Sequence, residues 1–296
     1  MSTYRIKCRI KSWIKSQLES RFKSRVASRI SQLLLSVFFL LGLSQAVLAQ
    51  TPKTVFLEEL SWTELQEQIR NGKSTIIVPI GGTEQSGPDI ALGKHNVRAR
   101  LLAEKIAQRL GDALVAPVVA YVPEGGIEPP TAHMRFPGTI TIPDEAFDKL
   151  LESAARSFKH HGFKDVVFLG DHGGYYTNLN RVAERLNRNW RSTQTRAHVP
   201  KEYYRAADTE FAATLKKRGY SDEEIGTHAG LADTSLTLAL DPRLVRLEHL
   251  RSGVKFERNQ GVYGAPQRAS AELGQLAVNE IVANTSEAIK KSVLQR

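Results

Sequence analysis

The chain has 296 residues, with 41 Lys/Arg against 31 Asp/Glu, and its formal net charge of +10 taken alone invites a nucleic-acid or anionic-membrane partner. Residues 1–49 hold most of that excess, with Arg5, Lys7, Arg9, Lys11, Lys15, Arg21, Lys23, Arg25 and Arg29 against the one acid Glu19, so the rest is close to neutral and no nucleic-acid partner is expected. The only cysteine, Cys8, lies in the same segment, which excludes disulfides and a thiolate nucleophile from the remainder and leaves any metal to His, Asp and Glu.

Residues 1–49 read as an export signal. A basic stretch precedes the apolar run LLLSVFFLLGL at residues 33–43, too short to cross a hydrocarbon layer of ~30 Å. Val47 and Ala49 fit the two recognition positions for a cut after Ala49. A periplasmic or secreted protein is expected, with a single domain over residues 50–296 and no stable membrane anchor after cleavage; an uncleaved anchor is the alternative.

Further along, STIIVPIGG at residues 74–82 is a β-branched run ending in glycines, the pattern of a buried parallel strand. Residues 97–111 show helical spacing and a closing glycine, and residues 113–122 read as a second strand. A helix is predicted from Pro143 to His161, and then KDVVFLGDHGG repeats the strand-into-glycine pattern before a helix over residues 177–191. EYYRAADTEFAATLKKRG and the C-terminal residues 270–293 are further amphipathic helices. Strands alternating with helices of this length predict an α/β layered fold with a mostly parallel sheet. Ligands of such folds gather where strands end and helices begin.

Four segments carry ionisable residues beside glycines or turns. GGTEQSGPDIALGKHN holds Glu84, Ser86, Asp89 and His95; GDHGGYYTN holds Asp171 and His172; PTAHMRFPGT holds His133; and GTHAGLADTS holds His228 and Asp233. Each has an ordinary structural reading too: Glu84 and His95 as caps, His172 as a satisfied loop histidine, Asp233 or Thr234 as a helix N-cap. Residues 130–143, with a Pro-Gly turn before alternating β-branched residues, read as a hairpin or lid.

Taken in order and at these intervals, PIGGTEQSGPDIALGKHN, HMRFPGT, GDHGG and THAGLADTS resemble the creatininase (creatinine amidohydrolase) family over residues 74–242. The resemblance implies a three-layer αβα sandwich, a homo-oligomer that is often a hexamer, and a two-metal site hydrolysing cyclic or linear amide C–N bonds. It gives Glu84 as a ligand to the first metal and His172 as the histidine of the second loop. Ser86 stands where the family has a histidine for the second metal, His95 where an aspartate bridges both ions, Tyr175 where the loop ends in Asn, and Leu231 and Asp233 where Glu is usual.

These departures predict a site for one ion. An imidazole has one lone pair and cannot bridge two cations as a carboxylate does, whereas Glu84, His95 and His172 make a two-histidine, one-carboxylate set suited to a single Zn, Mn or Fe ion. The expected activity is metal-dependent hydrolysis of a small amide, with Asp89, Asp171 or Asp233 as general base and His133 or His228 stabilising the oxyanion or protonating the leaving nitrogen. A catalytically silent binding or scaffold protein on the same fold is the competing reading.

Overall fold

Ser61 caps α1 (Trp62–Arg70) by a reciprocal exchange with Glu64: the Glu64 amide donates to the Ser61 hydroxyl, and the Ser61 amide to the Glu64 carboxylate. The chain then enters β1 (Thr75–Ile80), every residue of which is buried. α2 (Lys94–Leu110) follows a long loop and stops at Gly111, whose φ of 85° is a left-handed conformation that glycine adopts without a Cβ clash. β2 (Ala113–Val115) is much shorter than the strand predicted over residues 113–122. Pro117 ends the run of paired residues, and only Val119 returns to pair, with Ile80. The coordinates, a computed structural model, describe residues 53–295, so the export signal expected at residues 1–49 lies outside the described residues.

α3 (Asp144–His161) starts behind Pro143 with two acids in its first turn and ends in Lys159, His160 and His161, an arrangement that complements the helix dipole at both ends. β3 (Asp165–Gly170) leads through a 3₁₀ turn at Gly173–Tyr175 into α4 (Tyr176–Asn189), and β4 (Arg196–His198) completes the sheet. α5 (Lys201–Arg205) runs through a π-helical turn at Ala206–Glu210 into α6 (Phe211–Lys217). α7 (Asp222–Ile225), α8 (Leu231–Leu240), α9 (Leu247–Arg251) and the long α10 (Ala271–Leu294) follow.

The sheet order is β2-β1-β3-β4 and every pairing is parallel. Because side chains alternate across a strand, Ile77, Val167 and Leu169 meet α2, α8 and α10 on one face, while Ile76, Val78, Val166 and Phe168 meet α3 and α4 on the other. Helices therefore cover both faces, which is why β1 and β3 read as unbroken apolar runs. Burial of each such side chain stabilises the fold by roughly 1.5–3 kcal/mol. Of the hairpin or lid expected at residues 130–143, the hairpin does not form: a 3₁₀ turn at Ala132–Arg135 is followed by an extended stretch, held where the Ile140 amide donates to the Thr83 carbonyl and the Ile142 amide to the Val122 carbonyl. Among the described residues no helix is long and apolar enough to cross a membrane.

Candidate active site

The loop after β1 bends sharply over the start of α2. A Cβ on Gly81 would lie 2.2 Å from the Asn96 side-chain oxygen, and one on Gly82 would lie 2.6 Å from a Glu124 carboxylate oxygen. Asn96 locks this approach, accepting from the Gly82 amide at 2.9 Å and donating to the Thr83 hydroxyl at 3.1 Å. The bend delivers Glu84, fully buried, to the carboxyl edge of the sheet.

Four imidazoles surround that carboxylate. His95 Nε2 lies 2.8 Å from Oε1 and His228 Nδ1 3.8 Å from it, while His133 Nε2 and His172 Nε2 lie 3.2 and 3.5 Å from Oε2. Burial works against the Glu84 charge, but the His95 hydrogen bond and the charges of His95 and Lys94 outweigh it and hold the carboxyl well below the usual range.

His95 does not have the electronic form expected of a ligand. Its Nδ1 is 2.6 Å from Asp171 Oδ2 while Nε2 faces Glu84, so both ring nitrogens meet carboxylates. Burial and Lys94 disfavour charge on the ring, but hydrogen bonds to Asp171 and Glu84 prevail and raise its pKa. An imidazolium donating from both nitrogens has no lone pair for a metal. The donor set that converges beside Glu84 does not include it.

A different set converges beside Glu84. One donor atom each from Glu84, Glu124, His133 and His172 lies within 4.8 Å of all the others. Glu84 Oε2 and both oxygens of Glu124 are buried with no hydrogen-bond partner, an expensive arrangement unless something positive sits between them. Burial, followed by the Glu84 charge, pushes the Glu124 carboxyl up to about 9. Burial takes His172 down to about 3 and also lowers His133, so both rings are neutral and carry a lone pair. Two neutral imidazoles and two carboxylates match the donor chemistry of Zn²⁺ or Mn²⁺, and the residues fit such an ion.

The carboxylates expected as general bases are otherwise engaged. Asp171 takes the His95 ring and the Arg98 Nε at 3.1 Å on one oxygen and the Tyr203 hydroxyl at 2.7 Å on the other. Asp233 is bound by Lys94, Arg98 and the Ala229 amide. Burial opposes both charges, yet Arg98 and His95 at Asp171, and Lys94 and Arg98 at Asp233, hold both carboxyls below their ordinary range. Each is a fixed anion, not a free base. Asp89 is elsewhere: its Oδ1 meets His249 Nδ1 at 2.6 Å, and it does not line the cavity. Thr234 does not cap α8 either, since the N-cap is Gly230. Ser86 is buried with its hydroxyl unpartnered, and Leu231 belongs to the apolar core.

Lys94, His95, His133, Asp171, His172 and Asp233 line a cavity of about 1050 Å³, whose walls also include Gln85, Arg98, Tyr204, His228, Arg258 and Tyr263. Sequence reasoning passed over Lys94, Arg98, Glu124 and Tyr203. Lys94 and Arg98 stand four residues apart on one helix face, and an acid before two glycines in VPEGG is the mark Glu124 leaves. Tyr175 replaces the expected Asn with a tie: its hydroxyl sits 2.8 and 2.6 Å from the Ile80 and Gly81 carbonyls and accepts from the His172 amide at 3.1 Å, clamping the His172 loop to the end of β1.

The sequence profile of the creatininase family, described as creatinine amidohydrolase, matches residues 58–289. Among characterised proteins, the mycofactocin precursor peptide peptidase of Mycolicibacterium smegmatis is 28% identical over 236 residues, covering 77% of this chain and 90% of that one. The 3-dehydro-scyllo-inosose hydrolase of Thermotoga maritima is 26% identical over 67% of this chain, which spans 60% of that protein's length. A solved structure titled "Creatininase Mn" superposes with a TM-score of 0.67 at 23% identity, covering 81% of this chain and 99% of that one, and so shares the fold. The parallel sheet with helices on both faces, the glycine-bounded Glu84 loop and the profile match over most of the chain agree: this chain belongs to the creatininase family.

Proposed function

We propose that the protein is a metal-dependent amidohydrolase that cleaves a C–N bond in a small cyclic or linear amide, using one divalent ion held by Glu84, Glu124, His133 and His172. The carrying observation is the convergence of four donor atoms within 4.8 Å of one another, three of the carboxylate oxygens being buried and unpartnered. A bound Zn²⁺ or Mn²⁺ supplies the polarisation of a carbonyl and the acidification of a water.

His228 is the residue suited to move the proton. Its Nε2 meets the Gln85 carbonyl at 2.9 Å and the Gln85 side-chain amide at 3.1 Å, its Nδ1 faces Glu84 at 3.8 Å, and the neutral ring carries one lone pair whichever nitrogen holds the hydrogen. Burial, then Lys94, lowers its pKa to about 4, so the resting ring is neutral. It accepts a proton from the attacking water and returns it to the leaving nitrogen. Arg98, fixed by Asp171 and Asp233, lines the same cavity and supplies positive potential where negative charge develops on the scissile carbonyl oxygen.

The test is metal analysis joined to turnover of a panel of lactams, linear amides and short peptides. Protein purified without chelators should hold one equivalent of Zn or Mn, and His172→Ala should lose both the ion and the activity. A chain that takes up no metal on reconstitution, or that hydrolyses amides equally well in excess chelator, would overturn the reading.

Two further proposals rest on sequence and kinship. The first is export of the protein with cleavage after Ala49, tested by N-terminal sequencing of periplasmic material. The second is assembly into a homo-oligomer, possible faces of which include the exposed Tyr121 and Ile127, tested by light scattering.

A further inference from the structure

The buried cations of the cavity are already spoken for, since Lys94 is tied to Asp233 and Arg98 to both Asp171 and Asp233. Arg135 and Arg258 are different. Both line the same cavity, both are exposed at its rim, and neither guanidinium makes an ion pair or a hydrogen bond with any described residue. Among the described lining residues Asp208, on the π-helical turn, is the one carboxylate without an ion pair, so the rim keeps two free cations against one free anion. A guanidinium is always charged, and its planar fork matches a carboxylate.

The backbone places both arginines beside the centre. Arg135 closes the 3₁₀ turn that carries His133. The guanidinium carbon of Arg258 lies 5.9 Å from the centroid of the Tyr263 ring. Tyr263 is in turn paired with the His228 segment: its amide donates to the His228 carbonyl at 2.8 Å, and its carbonyl accepts from the Thr227 amide at 2.9 Å. The His133 and His228 rings lie 4.7 Å apart, and Gln85 Nε2 is 3.0 Å from the first and 3.1 Å from the second. The arginines thus belong to the two segments that meet at this histidine pair. Phe136, Ala212, Ile225 and Leu236 add apolar surface to the wall. At about 1050 Å³ the cavity stands at the top of the range of small-ligand sites, with room for much more than a compact lactam.

We propose that the substrate is a linear amide bearing a free carboxylate, an N-acyl amino acid or short peptide, and that Arg135 and Arg258 hold this carboxylate at the rim of the cavity. The inference rests on the reading of the centre as a metal-dependent amidohydrolase. His228 returns the proton to the leaving nitrogen, and Arg258 is anchored on the bridge that holds His228, so the carboxylate belongs to the amine portion of the substrate. Water adds across the acyl carbon–nitrogen bond, which releases an acid and an amine. The carboxylate held by the arginines stays on the amine, unchanged.

The test gives the whole protein, loaded with Mn²⁺ or Zn²⁺, two matched mixtures of N-acetyl dipeptides, one ending in a free carboxylate and one in a primary amide. Mass spectrometry follows the amines released. The free acids should be cleaved about tenfold faster or more in kcat/KM, with the difference in KM. Arg135→Gln/Arg258→Gln should cleave the two mixtures alike, through a raised KM for the acids, and should keep its ion and its melting temperature. Arg135→Glu/Arg258→Glu should prefer dipeptides ending in an aminoethylamide, whose terminus is cationic. Equal cleavage of acids and amides by wild type overturns the inference, as does a preference for acids that survives in Arg135→Gln/Arg258→Gln. Cleavage of lactams or uncharged amides alone, abolished by chelator, also overturns it but leaves the metal-dependent hydrolase standing. A protein that cleaves nothing, or takes up no metal, overturns the hydrolase reading and the inference with it.

Discussion

His95 Nδ1 lies 2.6 Å from Asp171 Oδ2, and the opposite nitrogen of the same ring lies 2.8 Å from Glu84. The imidazole joins two buried carboxylates as a cationic bridge, and that bridge sets the orientation of Glu84 for everything else in the site. Arg98 and Tyr203 fix the far end through Asp171, so the row from Tyr203 to Glu84 is a rigid chain of charge-assisted hydrogen bonds.

Removing the bridge should damage stability more than metal uptake. His95→Gln leaves Glu84 and Asp171 without their shared cation, and loss of one member of a buried ion pair costs about 3–5 kcal/mol. Thermal unfolding of His95→Gln should shift down accordingly, while elemental analysis still finds one ion per chain. His172→Ala should behave the opposite way, losing the ion with a smaller loss of stability in the metal-free state. Loss of the ion from His95→Gln would return His95 to the ligand set.

Glu124 makes metal binding a proton-coupled event. Its carboxyl is pushed up to about 9, chiefly by burial and then by Glu84, so at pH 7 the metal-free protein holds a proton there. A cation that takes Glu124 as a ligand displaces that proton. Calorimetry in buffers of different ionisation enthalpy should register release of about one proton per ion at pH 7, and apparent affinity should rise about tenfold per pH unit until about 9. Glu124→Gln should flatten that dependence. A proton release unchanged in the variant would remove Glu124 from the centre.

Much of the fold is legible in the chain, because burial on both faces leaves β1 and β3 as continuous apolar runs, and Gly111 and Gly162 mark the ends of α2 and α3 by their left-handed backbone. Short β4 and the turn of α7 bury too few residues to leave a pattern. In the site, Glu84 and His172 stand out because each follows a strand directly. Glu124 does not, since it lies in an irregular loop and reaches Glu84 only through the bend at Gly81 and Gly82. The role of His95 turned on what faces its second nitrogen, a residue 76 positions away. Asp89 illustrates the reverse error, for nearness to Glu84 in sequence did not bring it into the cavity, and its carboxylate meets His249 instead.

The chelated protein should show a stability optimum near pH 6.5. Burial lowers His228 to about 4 and His172 to about 3, against 6.5 for a free histidine. Between those values the unfolded chain binds more protons than the folded one, so stability present above 6.5 is lost as the pH falls toward 4. Glu124 runs the other way: its folded value near 9 lies above the ordinary 4.5, so its contribution is full below 4.5 and disappears as the pH rises through about 9. On the acid side these histidines, joined by His133, outweigh one carboxyl, and on the alkaline side Glu124 acts together with His95, whose raised pKa makes its contribution fade as the pH rises. Chemical denaturation from pH 4 to 9 checks this, with Glu124→Gln expected to shallow the alkaline decline and His228→Gln the acid one.

Tyr175 offers a test of how far the backbone of the His172 loop matters to the ion. Its hydroxyl contacts the Ile80 and Gly81 carbonyls and the His172 amide, and the ring is wholly buried against Phe147 and Leu179. Tyr175→Phe keeps the packing and removes only the oxygen, leaving a buried amide without its acceptor, at a cost of about 1–3 kcal/mol. The variant should melt lower than wild type and bind Zn²⁺ or Mn²⁺ more weakly, because the imidazole of His172 is aimed by the backbone that this hydroxyl holds. Stoichiometry should remain at one, since no donor has been removed. A variant with lowered stability but unaltered metal affinity would show that the glycines of this loop, Gly173 and Gly174, already hold His172 in place through the bond from the Gly174 amide to its ring at 3.2 Å.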